Sequence, residues 1–148
     1  MGVYPLNAVR YATGMEPTRV RATIERSRPD LFEADETTIF ELDFPEGIVA
    51  ECKTSFSEGL NTLRNECETG WYELRPFQSY SGVKGKTSDN KFLSPFRGNQ
   101  QARQQDDDAH AITPHTKPLV PGEDGLLDIR VVEARFRSAE QGGKEIAI

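Results

Sequence analysis

Among the residues whose chemistry could be put to work, Tyr4 has the most informative setting. It stands near the start of Gly2-Val3-Tyr4-Pro5-Leu6-Asn7-Ala8-Val9-Arg10-Tyr11-Ala12-Thr13-Gly14, a stretch that reads as one helix with both ends written in. Pro5 suits a first helical turn, where an N–H would have no partner. Leu6, Val9 and Thr13 share one side at helical spacing, with Ala8 and Ala12 beside them. Gly14 can take the left-handed conformation that closes a helix, and Pro17 prevents a restart. The helix mouth offers backbone N–H groups and the positive end of the dipole to a bound oxygen or anion. A phenol there has two readings. It can pack over Pro5 as a helix-entry aromatic, or it can hydrogen-bond and protonate a substrate oxygen. For the second role its ordinary pKa of about 10 must be lowered, as a nearby cation would do.

Other reactive residue types lack such a setting. His110 and His115 have no metal-ligand spacing to a Cys or His, and read as surface residues. Asp106-Asp107-Asp108 points in successive directions around a helix, which fits a solvated face better than a cation site. Ser55 and Ser138 lack any base arrangement readable from sequence. No GxGxxG, Walker or HExxH motif is present, so no cofactor-binding or metal residues are assigned. Cys52 and Cys67 fall on neighbouring expected strands but out of register. That argues against a disulfide and for two small buried hydrophobes.

The elements that must position Tyr4 follow from alternation and turn chemistry. Val20, Ala22 and Ile24 alternate with polar residues over 19–25, the period of a half-buried strand. Residues 27–36 form a polar loop. Phe40, Leu42 and Phe44 alternate with Ile39, Glu41 and Asp43 in a second strand, and Pro45-Glu46-Gly47 turns. A third strand over 48–56 puts Ile48, Ala50, Cys52, Thr54 and Phe56 on one face and Val49, Glu51, Lys53 and Ser55 on the other. Weaker strands are expected over 60–67 and 71–74, the last ended by Pro76. Such short turns predict a sequential antiparallel meander. Residues 77–97, with Phe77, Tyr80, Phe92 and Phe96, read as a long ordered loop that packs on something. Asn99 is the expected N-cap of a helix running to Ile112, with Ala102, Gln105, Ala109 and Ile112 on its weak apolar face. Pro121-Gly122-Glu123-Asp124 opens the strongest helix, which runs to Gly142-Gly143 with Ile129, Val132, Phe136 and Ala139 inward. Residues 144–148 alternate as a final strand.

The chain has 148 residues, enough for one domain spanning 1–148 with a real core. Its mean hydropathy of -0.62 is polar for a compact monomer and fits an antiparallel sheet with one solvated face. A net charge of -6, without a basic stripe interleaved with aromatics, argues against a nucleic-acid protein. No apolar run approaches the ~20 residues of a membrane span. No signal peptide precedes the fold, so the cytoplasm is the expected location. The fold class expected is α+β: an open-faced, mainly antiparallel β-sheet with helices packed on one face.

Both ends of the chain resemble one family. Gly2 to Asn7, Arg10-Tyr11, Gly14 and Glu16-Pro17 are similar to the motif D-x-G-x-Y/H-x-x-N-x-x-R-Y-x-x-G-x-E-P. Asn99-Gln100, Gln104 and Asp106, then Pro121-Gly122-Glu123-Asp124-Gly125-Leu126, Asp128-Ile129-Arg130, Glu133-Ala134 and Ser138-Ala139, resemble N-Q…Q-x-D…P-G-E-x-G-x-x-D-x-R…E-A-x-x-x-S-A. These are features of the carboxy-terminal domain of the Gfo/Idh/MocA oxidoreductases, in the branch around glucose–fructose oxidoreductase. The resemblance implies an open-faced sheet that forms the subunit interface and a domain that contacts substrate. It also implies a separate Rossmann domain that binds NAD or NADP and carries the catalytic Lys of an E-K-P motif. The family's catalytic Tyr or His falls on Tyr4. Its Asp would lie one position before Met1. Asp108 stands where the family usually has a large apolar residue, which implies weaker packing there.

The resulting expectation is the substrate-binding and oligomerisation domain of an NAD(P)-dependent sugar or polyol oxidoreductase, inactive alone. Tyr4 orients or helps deprotonate the substrate hydroxyl, and Asn7, Arg10 and Asn99 take site-wall or helix-end roles. The chain itself would hold no cofactor and would pair with a second copy through the open sheet face. The alternative is a stand-alone dimerisation or accessory module without chemistry of its own.

Overall fold

The computed structural model describes residues 2–31, 33–95, 98–113 and 116–148. In chain order the elements are α1 (Val3–Thr13), β1 (Arg19–Glu25), β2 (Thr37–Asp43), β3 (Val49–Ser55), β4 (Leu63–Cys67), β5 (Gly70–Leu74), β6 (Gly85–Thr87), β7 (Phe92–Leu93), α2 (Gln100–Ile112), α3 (Gly122–Glu140) and β8 (Ile146–Ala147). The fold is α+β with two open antiparallel sheets, ordered β3-β2-β1-β8 and β4-β5-β6-β7. The expected single meander therefore breaks between β3 and β4. The chain divides into two compact units, residues 1–60 with 123–148 and residues 61–122.

The first unit holds most of the core. Ala22 lies opposite Phe40, which lies opposite Cys52, and Leu42 bridges Val20 and Ala50. Alternation puts these side chains on one face, where Val20, Ala22, Phe40, Leu42 and Cys52 are buried with Leu6 and Val9 of α1 and Val131 and Ala134 of α3. The other face carries Arg21, Ile39, Glu41, Val49, Glu51 and Lys53. There Arg21 pairs with Glu41 at 2.7 Å and Asp43 at 3.3 Å, and with Glu145. At the far end of β3 the expected phase does not hold. Ser55 is buried, sharing a hydrogen bond with Thr37 at 2.7 Å, and Phe56 is exposed.

α3 packs on the inner face about one residue out of the expected phase. Asp128, Val131, Ala134, Arg135 and Ser138 are buried, whereas Ile129 and Phe136 are exposed. The reason is polar. β8 pairs β1 only at Arg19 and Val20, so the next strand N–H needs another acceptor. Ser138 provides it: Ala22 N–H donates to its Oγ at 2.8 Å, and that hydroxyl donates to the Lys144 carbonyl at 2.6 Å.

In the second unit β4 and β5 form a hairpin whose register pairs Cys67 with Gly70. β4 starts at Leu63, not at 60, because Asn61 bridges a loop instead. Its Oδ1 accepts from the N–H groups of Phe77 and Gln78, and its Nδ2 donates to the Gln78 carbonyl. Trp71 is half-buried between cations, with the Arg64 guanidinium 4.1 Å and the Lys86 ammonium 5.6 Å from the ring centroid. The expected long loop contains β6 and β7, and its Tyr80 and Phe92 are exposed. Phe96 lies outside the described residues. α2 has the expected N-cap, Asn99 Oδ1 accepting from Ala102 N–H at 3.1 Å. Its apolar face is not the one expected: Ala102, Ala109 and Ile112 are exposed and Ala111 is buried. Cys67 is exposed and Cys52 buried, both free, so only Cys52 is a core hydrophobe. Burial pushes the Cys52 thiol up to about 12.

Candidate functional site

α1 presents Tyr4 as its second helical residue, 58% exposed. Gly2 occupies the N-cap with no side-chain cap, and the first turn has no acidic residue. The leading N–H groups of a helix have no intrahelical acceptor, and Pro5 has no N–H. Among the described residues no side chain caps the mouth beside Tyr4. At the other end Gly14 adopts φ 65°, and its N–H returns to the Arg10 carbonyl at 2.9 Å.

Behind the mouth α1 is gripped by ions. Arg10 is 5% exposed and spends all five N–H groups within the first unit. Its Nε and Nη2 form a bidentate pair with Glu16 at 2.7 and 2.9 Å. Nη2 also donates to Asp124 at 2.9 Å. Nη1 reaches Asp128 Oδ1 at 2.5 Å and the Asp124 carbonyl at 3.3 Å. Glu16 and Asp128 hold the guanidinium pKa above its ordinary value against the cost of burial. Asn7 joins the same carboxylates, its Nδ2 donating to Asp124 at 3.3 Å and Asp128 at 3.2 Å.

Tyr4, Asn7 and Arg10 therefore share one helix, while Asn99 caps α2 in the other unit. Arg10 offers no spare donor to a substrate, and Asn99's carbonyl oxygen serves the helix end. Asp128 and Arg135 were not among the candidates from sequence. Their signal is the seven-residue spacing that places both on one face of α3. Ser55 and Ser138 are buried and serve hydrogen bonds described above. Asp107 accepts the Leu119 N–H at 2.8 Å, His110 is exposed and His115 lies outside the described residues. Among the described residues no group of His, Cys, Asp and Glu could hold a metal ion. No helix there is long and apolar enough to cross a membrane.

Residues 1–73 match the family model of the GFO/IDH/MocA C-terminal domain. With the open antiparallel sheets and the motifs at both ends, this chain belongs to the GFO/IDH/MocA oxidoreductases and corresponds to their C-terminal part. It is similar to the aldose-aldose oxidoreductase of Caulobacter crescentus, whose crystal structure holds glycerol: 35% identity over 99% of this chain and 46% of that one, with a TM-score of 0.89. It is 27% identical to the D-xylose 1-dehydrogenase [NADP(+)] of Haloarcula marismortui, over 95% of this chain and 41% of the dehydrogenase. The myo-inositol 2-dehydrogenase of Lactobacillus plantarum shares the fold, with a TM-score of 0.73 at 19% identity over 100% of this chain and 47% of that one. The chain spans about half the length of the relatives it matches.

A dinucleotide seat of the Rossmann type needs parallel strands and a glycine-rich turn into a helix. Both sheets here are antiparallel and neither carries that turn. The described residues do not fit NAD(P) in that manner.

Proposed function

We propose that this chain is the substrate-contacting and oligomer-forming half of an NAD(P)-dependent oxidoreductase acting on sugars or polyols. The observation that carries the reading is the exposed phenol of Tyr4 in the first turn of a helix whose other half is fixed by Arg10. Tyr4 and the first-turn N–H groups receive the substrate hydroxyl and set its orientation, and Tyr4 assists its deprotonation. A nicotinamide held outside these residues would supply the hydride acceptor. Asn7 and Arg10 act behind the site, holding α1 in place.

The relatives support the substrate class: an aldose-aldose oxidoreductase at 35% identity and a D-xylose dehydrogenase at 27%. A second copy of the chain covers the outer face of β1, β2 and β3, where Ile39 and Val49 stand exposed among charges.

The test is a chimera in which this chain replaces the matched part of the Caulobacter crescentus enzyme. We expect aldose oxidation that falls about a hundredfold in kcat on Tyr4→Phe, with a smaller change in KM. A Tyr4→Phe chimera that turns over as fast as its parent would refute the role. Sedimentation of the purified chain tests the interface: a dimer is expected, and Ile39→Lys should dissociate it.

A further inference from the structure

β3 is the outermost strand of the first unit's sheet. Phe44 N–H donates to the Ile48 carbonyl at 2.8 Å and Phe56 N–H to the Glu36 carbonyl at 2.9 Å, in line with the β2–β3 register. Ala50, Cys52 and Thr54 therefore bond toward β2, because hydrogen-bonding direction alternates along an antiparallel strand. Val49, Glu51, Lys53 and Ser55 point their N–H and C=O groups the other way. None of these backbone groups has a hydrogen-bond partner among the described residues.

A free edge is a template for another chain, and proteins blunt it with proline, a bulge, a short strand or charges. β3 runs seven residues without proline, and its register with β2 is unbroken from Val49 to Ser55. Its two charges are exposed and opposite in sign. Glu51 lies opposite Glu41, which pairs with Arg21, and has no ion pair of its own among the described residues. Lys53 pairs with Glu58 at 2.7 Å through an ammonium with donors to spare. These charges discriminate between the registers open to a second copy. Two copies related by a two-fold axis pair β3 antiparallel, with outward-pointing residues opposite one another. An axis at Glu51 sets that acid against itself, and an axis at Lys53 does the same with the amine. Like charges directly opposite repel. An axis at Cys52 sets Glu51 against Lys53 twice and Val49 against Ser55 twice. It alone pairs every outward residue of both strands.

We propose that β3 pairs edge to edge with β3 of a second copy, about a two-fold axis at Cys52, joining the two sheets into one. The contact is separate from the covered outer face and does not rest on it: it uses backbone groups, whereas the face offers side chains. Four pairs make a small contact, so a Kd on the order of 10⁻⁴ M is expected. Amide exchange of the ¹⁵N-labelled chain is compared at about 20 µM and about 1 mM. The Glu51 and Lys53 amides should exchange about fourfold more slowly at the higher concentration, the ratio of unpaired chain at the two. The Ala50 and Cys52 amides, already bonded to β2, are the internal reference. Ile39→Ser, which weakens the face contact without adding a charge beside Lys53, should leave this slowing intact. At the lower concentration the edge is mostly open, so a sedimentation dimer there reports the face alone, and either contact can fail without the other. Glu51→Lys or Lys53→Glu should weaken the pairing about tenfold or more, cutting the slowing below about twofold. Glu51→Lys/Lys53→Glu, which restores opposite charges across the axis, should recover it. Exchange that does not slow with concentration would overturn the proposal, as would a single swap without effect or a double swap that fails to restore the slowing.

Discussion

Arg10→Met tests whether α1 is fixed by its ions. Methionine keeps the apolar stem and removes five N–H donors that contact Glu16, Asp124 and Asp128. The three acids do not count equally. Glu16 is 53% exposed, so its share is screened to about 0–1 kcal/mol. Asp128 is 12% exposed and Asp124 32%, and stranding them is the larger cost. Removing one partner of a buried pair costs about 3–5 kcal/mol. Asn7 still donates to both aspartates, so the low end applies, about 3 kcal/mol. For a chain of this size that is a Tm drop of roughly 10 °C. Urea unfolding followed by far-ultraviolet circular dichroism, with a thermal scan, measures it. Arg10→Met/Asp128→Leu should recover more than half of the loss, since it replaces a broken pair by an apolar contact. A single-variant loss under about 1 kcal/mol, or a double variant as unstable as the sum of both singles, refutes the reasoning.

Glu36→Gln should flatten the acid limb of stability. Burial alone would raise the Glu36 pKa, but hydrogen bonds from Ser27, Arg28 and Ser57 hold it down at about 2, against an ordinary 4.5. Between those values the unfolded chain binds more protons, so the contribution is full above pH 4.5 and lost as pH falls toward 2. Urea titrations across that window should show a shallower decline in the variant. A thiol reagent should label Cys67 in the folded protein and Cys52 only on unfolding, and rapid labelling of both would contradict the burial. Asn99→Ala should lower protection of the first α2 amides by about 1 kcal/mol in hydrogen exchange, since Ala102 N–H loses its acceptor.

Where local chemistry decides, the sequence was readable. Pro5 and Gly14 mark α1, alternation marks β1 and, from Thr38 onward, β2, and Asn99 marks the start of α2. Where distant partners decide, it was not. β6 and β7 span three and two residues, too few for a period to show. The phase of α3 was misread because hydrophobicity picked Ile129 and Phe136, whereas hydrogen bonding picked Asp128 and Ser138. The same holds for the candidate site. Tyr4 could be singled out from its helix-end position, but Arg135 could not, because its burial depends on Phe40 and Gly2, far away in sequence.

The inward polar residues of α3 also explain how a lone helix mouth can be a precise one. Ser138 ties α3 to the edge of β1, and Asp128 ties it to α1 through Arg10. α1 is thus referenced to the sheet by way of α3, with Leu6 and Val9 filling the space between. From Tyr4 to Arg10 is six residues, about 9 Å along the axis, so the grip lies well behind the phenol and leaves its hydroxyl free. Under the proposed role, rigid support behind Tyr4 would matter because small displacements of a catalytic group cost orders of magnitude in rate. Loosening the grip should therefore reach the site without touching it. In the chimera, Asn7→Ala should lower kcat while leaving Tyr4 in place, and a full kcat with Asn7→Ala would mean that Arg10 alone holds α1.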